Sequence, residues 1–223
     1  MNYPKIISAS DSALIVYFGD KISKELHQKV LNLTKYLLDN PKNDIINIHP
    51  AYNSIMVSIR DSSRLSKTKN YLNRIIQDIE KNNSINEIST VEIPVVYGGE
   101  FGPDLDRVAK HCGLTKDEVI KEHSKENYLV YFIGFSIGFP YLGGLNNSLS
   151  TPRLETPRTT VPKGSIAIAG SQTGIYPLSS PGGWNLIGKT SVSIFNINEP
   201  GKSLLKMGDS VRFKPINKED FIL

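Results

Sequence analysis

Residues 157–188, PRTTVPKGSIAIAGSQTGIYPLSSPGGWNLIG, alternate short apolar runs with turns rich in Gly and Pro. The run 165–169 has the length of one short strand, and the Gly and Pro residues around it interrupt any helical pattern. Further short strands are predicted over 128–135, 191–195 and 210–214. Short strands at irregular spacing favour a closed β-barrel or a sandwich over a parallel α/β sheet.

Two short helices are predicted to precede these strands. Pro103 suits the first turn of a helix that should run to about residue 111, with Gly113 closing it. Thr115 and Glu118 match a capping box, which opens the second helix. We therefore place a β-barrel domain with two leading helices at 97–223.

The first ninety residues show a different pattern, in which strands and amphipathic helices alternate. Ile55, Val57 and Ile59 alternate with Ser54, Met56 and Ser58, as a strand with one buried face requires. The predicted order is βαββαβ, the split-βαβ arrangement of ferredoxin-like domains. We therefore predict an α+β chain whose first domain, 1–96, is ferredoxin-like. Its four strands are predicted at 12–18, 44–48, 54–59 and 88–96.

Composition excludes several classes of protein. Of the 223 residues, 39% are hydrophobic and 22% are charged, which argues against disorder and for a globular chain. The net charge of +4 is dispersed without a Lys/Arg block, so we expect no nucleic-acid partner. Cys112 is the only cysteine, which rules out an intramolecular disulfide. With Asp11 inside any export signal, we expect a cytoplasmic protein.

One stretch has the length of a membrane span but not the composition. Residues 127–152 carry no charge, and 128–145 are mostly apolar. Gly134, Gly138 and Pro140 would nevertheless break a spanning helix. We expect a strand followed by a rigid loop, and no membrane partner.

The segment 127–190 is the best candidate for a binding site. It holds 10 of the 17 glycines and 6 of the 13 prolines, and its few charges are mostly basic. Rigid loops let a ligand approach the backbone closely, and sparse basic charge suits a carboxylate or a phosphate. The alternative is that tight barrel corners need Gly and Pro.

Two arginines and a lysine are the candidate anion contacts. Proline precedes both Arg153 and Arg158, which fixes the backbone at each guanidinium and suits a clamp on an anion or an acidic loop. Lys163 adds a third positive charge. The alternative is that these are solvated side chains on a surface arm.

Aromatic residues with Gly or Pro neighbours are candidates for the walls of a groove. Such neighbours would hold the rings rigidly, and ordinary core packing is the alternative. The four aromatic residues are Phe139, Tyr141, Tyr176 and Trp184.

No motif of the chain indicates a metal or a nucleophile. The four histidines lack metal-ligand spacing, and the glycine patterns of nucleotide-binding loops and nucleophile elbows are missing. We predict no metal site and assign no catalytic residue.

Four long stretches carry a resemblance to a known family. Residues 97–106, 134–145, 157–170 and 172–188 closely resemble the KipI family, and the resemblance covers nearly the whole chain. This family includes PxpB, one subunit of the bacterial 5-oxoprolinase, and proteins named allophanate hydrolase subunit 1. The resemblance implies a ferredoxin-like domain followed by a cyclophilin-like β-barrel.

The resemblance also implies a multi-protein enzyme. Family members work with PxpA-like and PxpC-like (KipA-like) subunits to open 5-oxoproline to glutamate with ATP hydrolysis, and this chain would be inactive alone. On this hypothesis, Arg153 and Arg158 are clamps for an anionic substrate. Lys163 and Gln172 are polar contacts, and Tyr141, Tyr176 and Trp184 are walls.

Two other roles remain open within the family. KipI itself restrains a sensor histidine kinase, so the same groove could hold a kinase segment. Related modules form the carboxyltransferase part of urea carboxylase, and a prolyl isomerase is a weaker alternative because a fold alone does not imply a reaction. Two residues depart from the expected pattern: Ile137 replaces a proline, and Lys163 replaces a small residue.

Overall fold

The chain forms two compact units, Met1–Glu87 and Ile88–Leu223. The computed structural model describes residues 3–81, 90–134 and 136–221. Strands are numbered β1–β13 and helices α1–α4 in chain order. Over those described ranges, none of the helices combines the length and the apolar character that crossing a membrane requires.

The first unit is an antiparallel sheet with two helices. The strands lie in the order β1-β2-β4-β3, and α1 and α2 contact strands of this sheet. The elements are β1 (Lys5–Ser8), β2 (Ala13–Tyr17), α1 (Lys24–Asp39), β3 (Ile45–Pro50), β4 (Ser54–Ile59) and α2 (Leu65–Lys81).

Alternation along the strands and helical spacing build the core of this unit. Ile55, Val57 and Ile59 are buried on one face of β4, and Val30 and Leu33 are buried on α1. Each element buries one face because strand side chains alternate between faces while helix side chains repeat every three or four residues, and α1 packs against β4. Ser23 caps α1, where its Oγ accepts the Leu26 N–H at 3.2 Å.

The second unit is a closed seven-stranded barrel in the order β10-β7-β6-β13-β5-β12-β9. Neighbouring strands are antiparallel except β13 and β5, which are parallel. Two short strands, β8 and β11, pair outside the barrel. The strands are β5 (Thr90–Tyr97), β6 (Asn127–Ile133), β7 (Pro140–Gly143), β8 (Arg158–Val161), β9 (Ser165–Ala169), β10 (Gln172–Ile175), β11 (Ser180–Gly182), β12 (Asn185–Lys189) and β13 (Ser210–Pro215).

Two helices pack on the barrel, α3 (Leu105–Cys112) and α4 (Lys116–Lys125). Leu105 and Val119 are buried in the same hydrophobic core as the barrel strands. Gly113 ends α3 in the left-handed conformation, with φ of 67°, and Thr115 opens α4 in a complete capping box. Both turn signals of the sequence are confirmed.

The strand predicted over 88–96 was assigned to the wrong domain. Residues 88 and 89 lie outside the described residues, and the rest of this strand is β5, which pairs with β12 and β13 in the barrel. The edge of the first sheet is formed by β1, which was not predicted. The described elements of the first unit thus run ββαββα and not βαββαβ.

Another predicted strand, 191–195, is wrong, because the barrel strand here is β12, which ends at Lys189. Ile194 and Phe195 lie in a loop that pairs with no described strand, and both side chains are buried. Apolar residues that pack inward from a loop give the same signal as a short strand. The closed barrel itself is confirmed, and the ferredoxin-like and cyclophilin-like names stay predictions.

Candidate functional site

The four predicted aromatic residues come together as one group, here called the aromatic cluster (Phe139, Tyr141, Tyr176 and Trp184). The Phe139 ring lies at its centre, with ring centroids 5.3 Å from Tyr141, 5.3 Å from Tyr176 and 5.4 Å from Trp184. All three contacts are edge-to-face, the geometry that the quadrupoles of aromatic rings favour.

Most of this cluster is core. Phe139, Tyr176 and Trp184 are 1%, 1% and 6% exposed, and they pack with small and aliphatic residues of neighbouring strands. Only Tyr141 is half-buried. The core-packing alternative therefore describes three of the four rings, and Tyr141 offers the accessible face.

Gly174 makes room for the cluster. A Cβ atom at this position would lie 2.8 Å from Phe139 Cζ and 3.2 Å from Trp184 Cζ3. The glycine therefore lets two rings pack against the β10 backbone. This is the close approach that the glycine-rich sequence predicts, although here the approaching group is a side chain of the protein.

Arg153 is the exposed cation above the cluster. Its guanidinium carbon lies 6.0 Å from the Trp184 ring centroid, within the range of a cation–π contact. Burial raises the pKa values of Tyr141 and Tyr176, and the positive charge of Arg153 partly offsets both shifts. Arg153 thus places a positive charge beside the Tyr141 and Tyr176 hydroxyls.

Arg158 has a structural partner. Its Nη2 donates to Asp104 Oδ1 at 2.7 Å, and Asp104 Oδ2 accepts the Leu186 N–H at 2.7 Å. The Asp104 side chain is 10% exposed and that of Arg158 is 30% exposed. The pair therefore joins β8 to the α3 entry and to β12, while the buried Nη1 of Arg158 has no partner within the described residues.

A buried asparagine fixes the segment that carries both arginines. Asn185 Nδ2 donates to Pro152 O at 2.9 Å and to Ile168 O at 3.0 Å, and its Oδ1 accepts from Arg107 Nε at 2.9 Å. The Leu154 N–H adds a bond to Gly183 O. The segment 152–158 is thus bound to the barrel at several points and is not a free surface arm.

The sequence predictions did not include Asp104, Arg107 or Asn185. Asp104 and Asn185 lie within stretches quoted for the family resemblance, but no local pattern shows what they bind. The signal that could have found them is chemical, because an acid or amide inside an apolar Gly/Pro-rich fold needs a buried partner.

Lys163 and Gln172 have surroundings of their own. Lys163 Nζ donates to Ser193 Oγ at 3.1 Å and lines a pocket formed with the loop 193–204. Gln172 begins β10 opposite Ala169 and is half-buried. Among the residues that line the Lys163 pocket, as far as the chain is described, there is no arginine.

His123 is a buried polar centre that the sequence did not single out. Its Nδ1 lies 2.8 Å from Tyr97 Oη, and its Nε2 lies 2.9 Å from Thr173 Oγ1. Thr173 donates its proton to Ala167 O, so Nε2 donates to Thr173 and Nδ1 accepts from Tyr97. Burial lowers the pKa of His123 to about 3, which makes this histidine neutral and structural.

Two further observations concern cysteine and metal-ligand chemistry. Cys112 is half-buried, with its Sγ 3.5 Å from Thr151 Oγ1, so it packs as a small side chain. Within 3–81, 90–134 and 136–221, no group of three or more His, Cys, Asp or Glu side chains could hold a metal ion. We assign no catalytic residue among the described residues.

Comparison with known proteins identifies near-full-length relatives. The family model for the carboxyltransferase domain, subdomains C and D, matches residues 4–205. A Bacillus subtilis protein named as the B subunit of 5-oxoprolinase is 39% identical over 97% of this chain and 95% of its own length. A protein of the same name from Escherichia coli O157:H7 is 41% identical over 92% and 93%.

Solved structures give the same fold. The structure of TTHA0988 is 38% identical with a TM-score of 0.78, and it matches 92% of this chain. The present chain spans only 40% of that longer chain. The Kluyveromyces lactis urea carboxylase matches 97% of this chain at 17% identity with a TM-score of 0.73, and the match spans 22% of that enzyme.

Proposed function

The chain belongs to the family of bacterial proteins named as the B subunit of 5-oxoprolinase and to the carboxyltransferase-domain family, subdomains C and D, and from this membership we propose that it is the PxpB-type subunit of a multi-protein 5-oxoprolinase. The reaction opens the lactam ring of 5-oxo-L-proline to L-glutamate with ATP hydrolysis. The chain acts with PxpA-like and PxpC-like subunits and is inactive alone.

One observation carries this proposal. Two relatives with this name are 39% and 41% identical to the chain, and each alignment spans more than nine-tenths of both partners. The relatives described above bear oxoprolinase and urea carboxylase names, so we do not propose the kinase-inhibitor role. The likeness to urea carboxylase supports the fold alone.

The geometry supports a role in substrate contact more than a role in bond-breaking. His123 is neutral and fully buried, so it cannot exchange a proton with a substrate. Arg153 is exposed beside Tyr141 and Trp184, and cations of this kind stabilise anionic substrates and the charge that develops as they react. We place the nucleotide and the ring-opening groups in the partner subunits.

The two arginines have different roles in this proposal. Arg153 contacts an anionic group of the assembled complex, such as an acidic side chain of a partner, over the aromatic cluster. Arg158 is a positioning residue, because its ion pair with Asp104 holds β8 and the preceding segment against the barrel. Only Arg153 retains the role of a clamp.

Reconstitution with the partner subunits tests the proposal. We expect 5-oxoproline-dependent ADP release that requires this chain. Arg153→Ala should lower that rate at least tenfold, which corresponds to about 1.4 kcal/mol of lost transition-state stabilisation. Arg158→Ala should instead lower the thermal midpoint of the chain, since it leaves the buried Asp104 carboxylate without its cation.

Arg212→Ala is the matched control, because Arg212 is an exposed arginine on β13 of the same barrel. This variant should retain both rate and stability. A verified three-part complex that consumes neither 5-oxoproline nor ATP would contradict the function. Normal turnover by Arg153→Ala would contradict only the role of this arginine.

A further inference from the structure

The barrel unit has a pocket lined by residues that do not belong to the aromatic cluster. It lies between Lys163 and the loop 193–204, and its volume is about 490 Å³. Cavities of about 300–1,000 Å³ are typical of small-molecule sites. We refer to it as the Lys163 pocket.

The fold holds the two sides of this pocket together. The turn that carries Lys163 is fixed by Gly164, whose N–H donates to Tyr176 O at 2.8 Å and whose carbonyl accepts the Thr190 N–H at 2.9 Å. Gly164 has φ of 83°, and a Cβ there would collide with Thr190 O. The turn and the start of the loop therefore stay in register, which brings Lys163 to Ser193.

The loop is closed by its own hydrogen bonds. The Leu204 N–H donates to Ile194 O at 3.1 Å, and the Asn196 N–H donates to Ser203 Oγ at 3.2 Å. Asn196 Oδ1 accepts two further backbone N–H groups, at 3.0 and 3.1 Å, from the residues that follow. These bonds define which polar atoms remain available to a ligand.

Three side chains of the pocket offer hydrogen-bond donors to a ligand. Because Asn196 Oδ1 is occupied, its Nδ2 group is left as a donor, and Ser203 Oγ, which accepts one bond, retains its hydroxyl proton. Lys163 Nζ donates to the neutral Ser193 hydroxyl, and no described carboxylate lies within ion-pair distance of its amine. The Lys163 charge is therefore uncompensated, whereas Lys202 is paired with Glu199.

The rest of the wall is apolar. Phe195 is buried beneath the pocket, and Ile197 and Leu204 line it while 61% and 41% exposed. Ile137 is 64% exposed on the loop whose Gly138 packs against the Phe195 ring. A fully hydrated inorganic anion gains nothing from such side chains, but the hydrocarbon part of an organic anion does.

We propose that the Lys163 pocket binds the carboxylate of a small organic acid. Lys163 provides the charge, Asn196 and Ser203 provide hydrogen bonds, and the body of the acid lies on Phe195 and Leu204. The carboxylate preference follows from these residues, and the identity of the acid as 5-oxoproline or its product glutamate rests on the proposed function.

Binding to the full-length chain tests this site. The probes are 5-oxoproline, its uncharged carboxamide and inorganic phosphate, titrated at millimolar concentrations by calorimetry and by backbone amide shifts. We expect 5-oxoproline to shift the amides of 193–204, and the carboxamide and phosphate to bind at least tenfold more weakly. Lys163→Gln should weaken 5-oxoproline binding at least tenfold, and Ser203→Ala should weaken it severalfold.

Lys206→Gln is the matched control, because it removes one exposed lysine charge near the loop but outside the pocket. It should leave the affinity unchanged. The inference is overturned if 5-oxoproline does not bind, if the carboxamide binds as tightly as the acid, or if Lys163→Gln has no effect on affinity.

The outcomes also separate this inference from the proposed function. If the chain binds a carboxylate beside Lys163 but its reconstituted complex does not consume 5-oxoproline, the pocket is supported and the proposed function is contradicted. If the chain binds no carboxylate and the complex turns over 5-oxoproline equally well with Lys163→Gln, the pocket is not a carboxylate site. The proposed function is then unaffected.

Discussion

At the scale of single residues, burial decides which titratable groups can act. His123 is enclosed by Tyr97, Tyr128, Thr173 and the Phe213 ring, and desolvation alone lowers its pKa to about 3. The Tyr128 hydroxyl donates to the His123 carbonyl at 2.7 Å. Polar groups this deep must be fully hydrogen-bonded, so they specify one arrangement of the interior.

The same burial predicts acid sensitivity of the barrel unit. A folded pKa of about 3 lies below the ordinary value of 6.5, so the unfolded chain binds the proton first as the pH falls. The stabilisation is fully present above pH 6.5 and is lost between pH 6.5 and 3, at about 1.4 kcal/mol per pH unit. Between pH 7 and 5, the free energy of unfolding should fall by about 2 kcal/mol from this residue.

Urea titrations followed by Trp184, the only tryptophan, measure this loss in the unit that contains His123. His123→Gln should be less stable at pH 7 but should lack most of the pH dependence. His111→Gln is the control, since His111 is exposed at the end of α3 and its loss should leave the slope intact. Equal slopes in the wild type and His123→Gln would contradict the assignment.

At the residue scale, the sequence singled out individual side chains but not the partners that they bind. Gly or Pro beside each ring singled out Phe139, Tyr141, Tyr176 and Trp184, and the structure brings the four rings together mostly as core, so their role as the walls of a groove stays a prediction. Arg158 forms an ion pair with Asp104, which lies 54 positions earlier in the sequence. Asn185 accepts a hydrogen bond from Arg107, which lies 78 positions earlier. Local spacing carries no information on such pairs, so the structural role of Arg158 was not predictable.

At the scale of elements, local chemistry predicted starts and stops better than partners. Thr115 Oγ1 accepts the Glu118 N–H at 3.2 Å, and Glu118 Oε2 accepts the Thr115 N–H at 2.7 Å. Both backbone groups belong to the unpaired first turn of a helix, so four residues suffice to specify them. By contrast, the sequence of β5 predicts a strand but does not indicate which domain the strand belongs to. Its pairing with β12 and β13, which are distant in sequence, places it in the barrel.

Thr115→Ala should destabilise the barrel unit by about 1 kcal/mol, because it removes the side chain that caps the first turn of α4. The effect should reach the barrel, since α4 packs against β13. The free energy of unfolding, again followed by Trp184 fluorescence, measures it. Glu118→Gln is the matched control, because glutamine can make the same bond to the cap and should cost little. Equal losses in both variants would contradict the capping role.

At the scale of the whole molecule, the boundary between the units follows from strand pairing. β5 hydrogen-bonds to β12 on one side and to β13 on the other, so it closes the barrel. Ile93 and Val95 of this strand are fully buried in the barrel core. The described part of the chain before residue 88 contributes no strand to the barrel.

Two fragments of the chain therefore should behave differently. The fragment 88–223 retains all seven barrel strands, and we expect it to fold alone with dispersed amide resonances.

The fragment 97–223 follows the domain boundary predicted from sequence and lacks nearly all of β5. Its barrel would open at β12 and β13, and the core would lose two fully buried side chains, which costs about 3–6 kcal/mol of transfer free energy alone. Because that loss is comparable with the whole stability of a typical domain, we expect 97–223 to be unfolded or aggregated. Heteronuclear NMR and near-ultraviolet circular dichroism distinguish the two states, and equally well-dispersed spectra from both fragments would contradict the placement of β5.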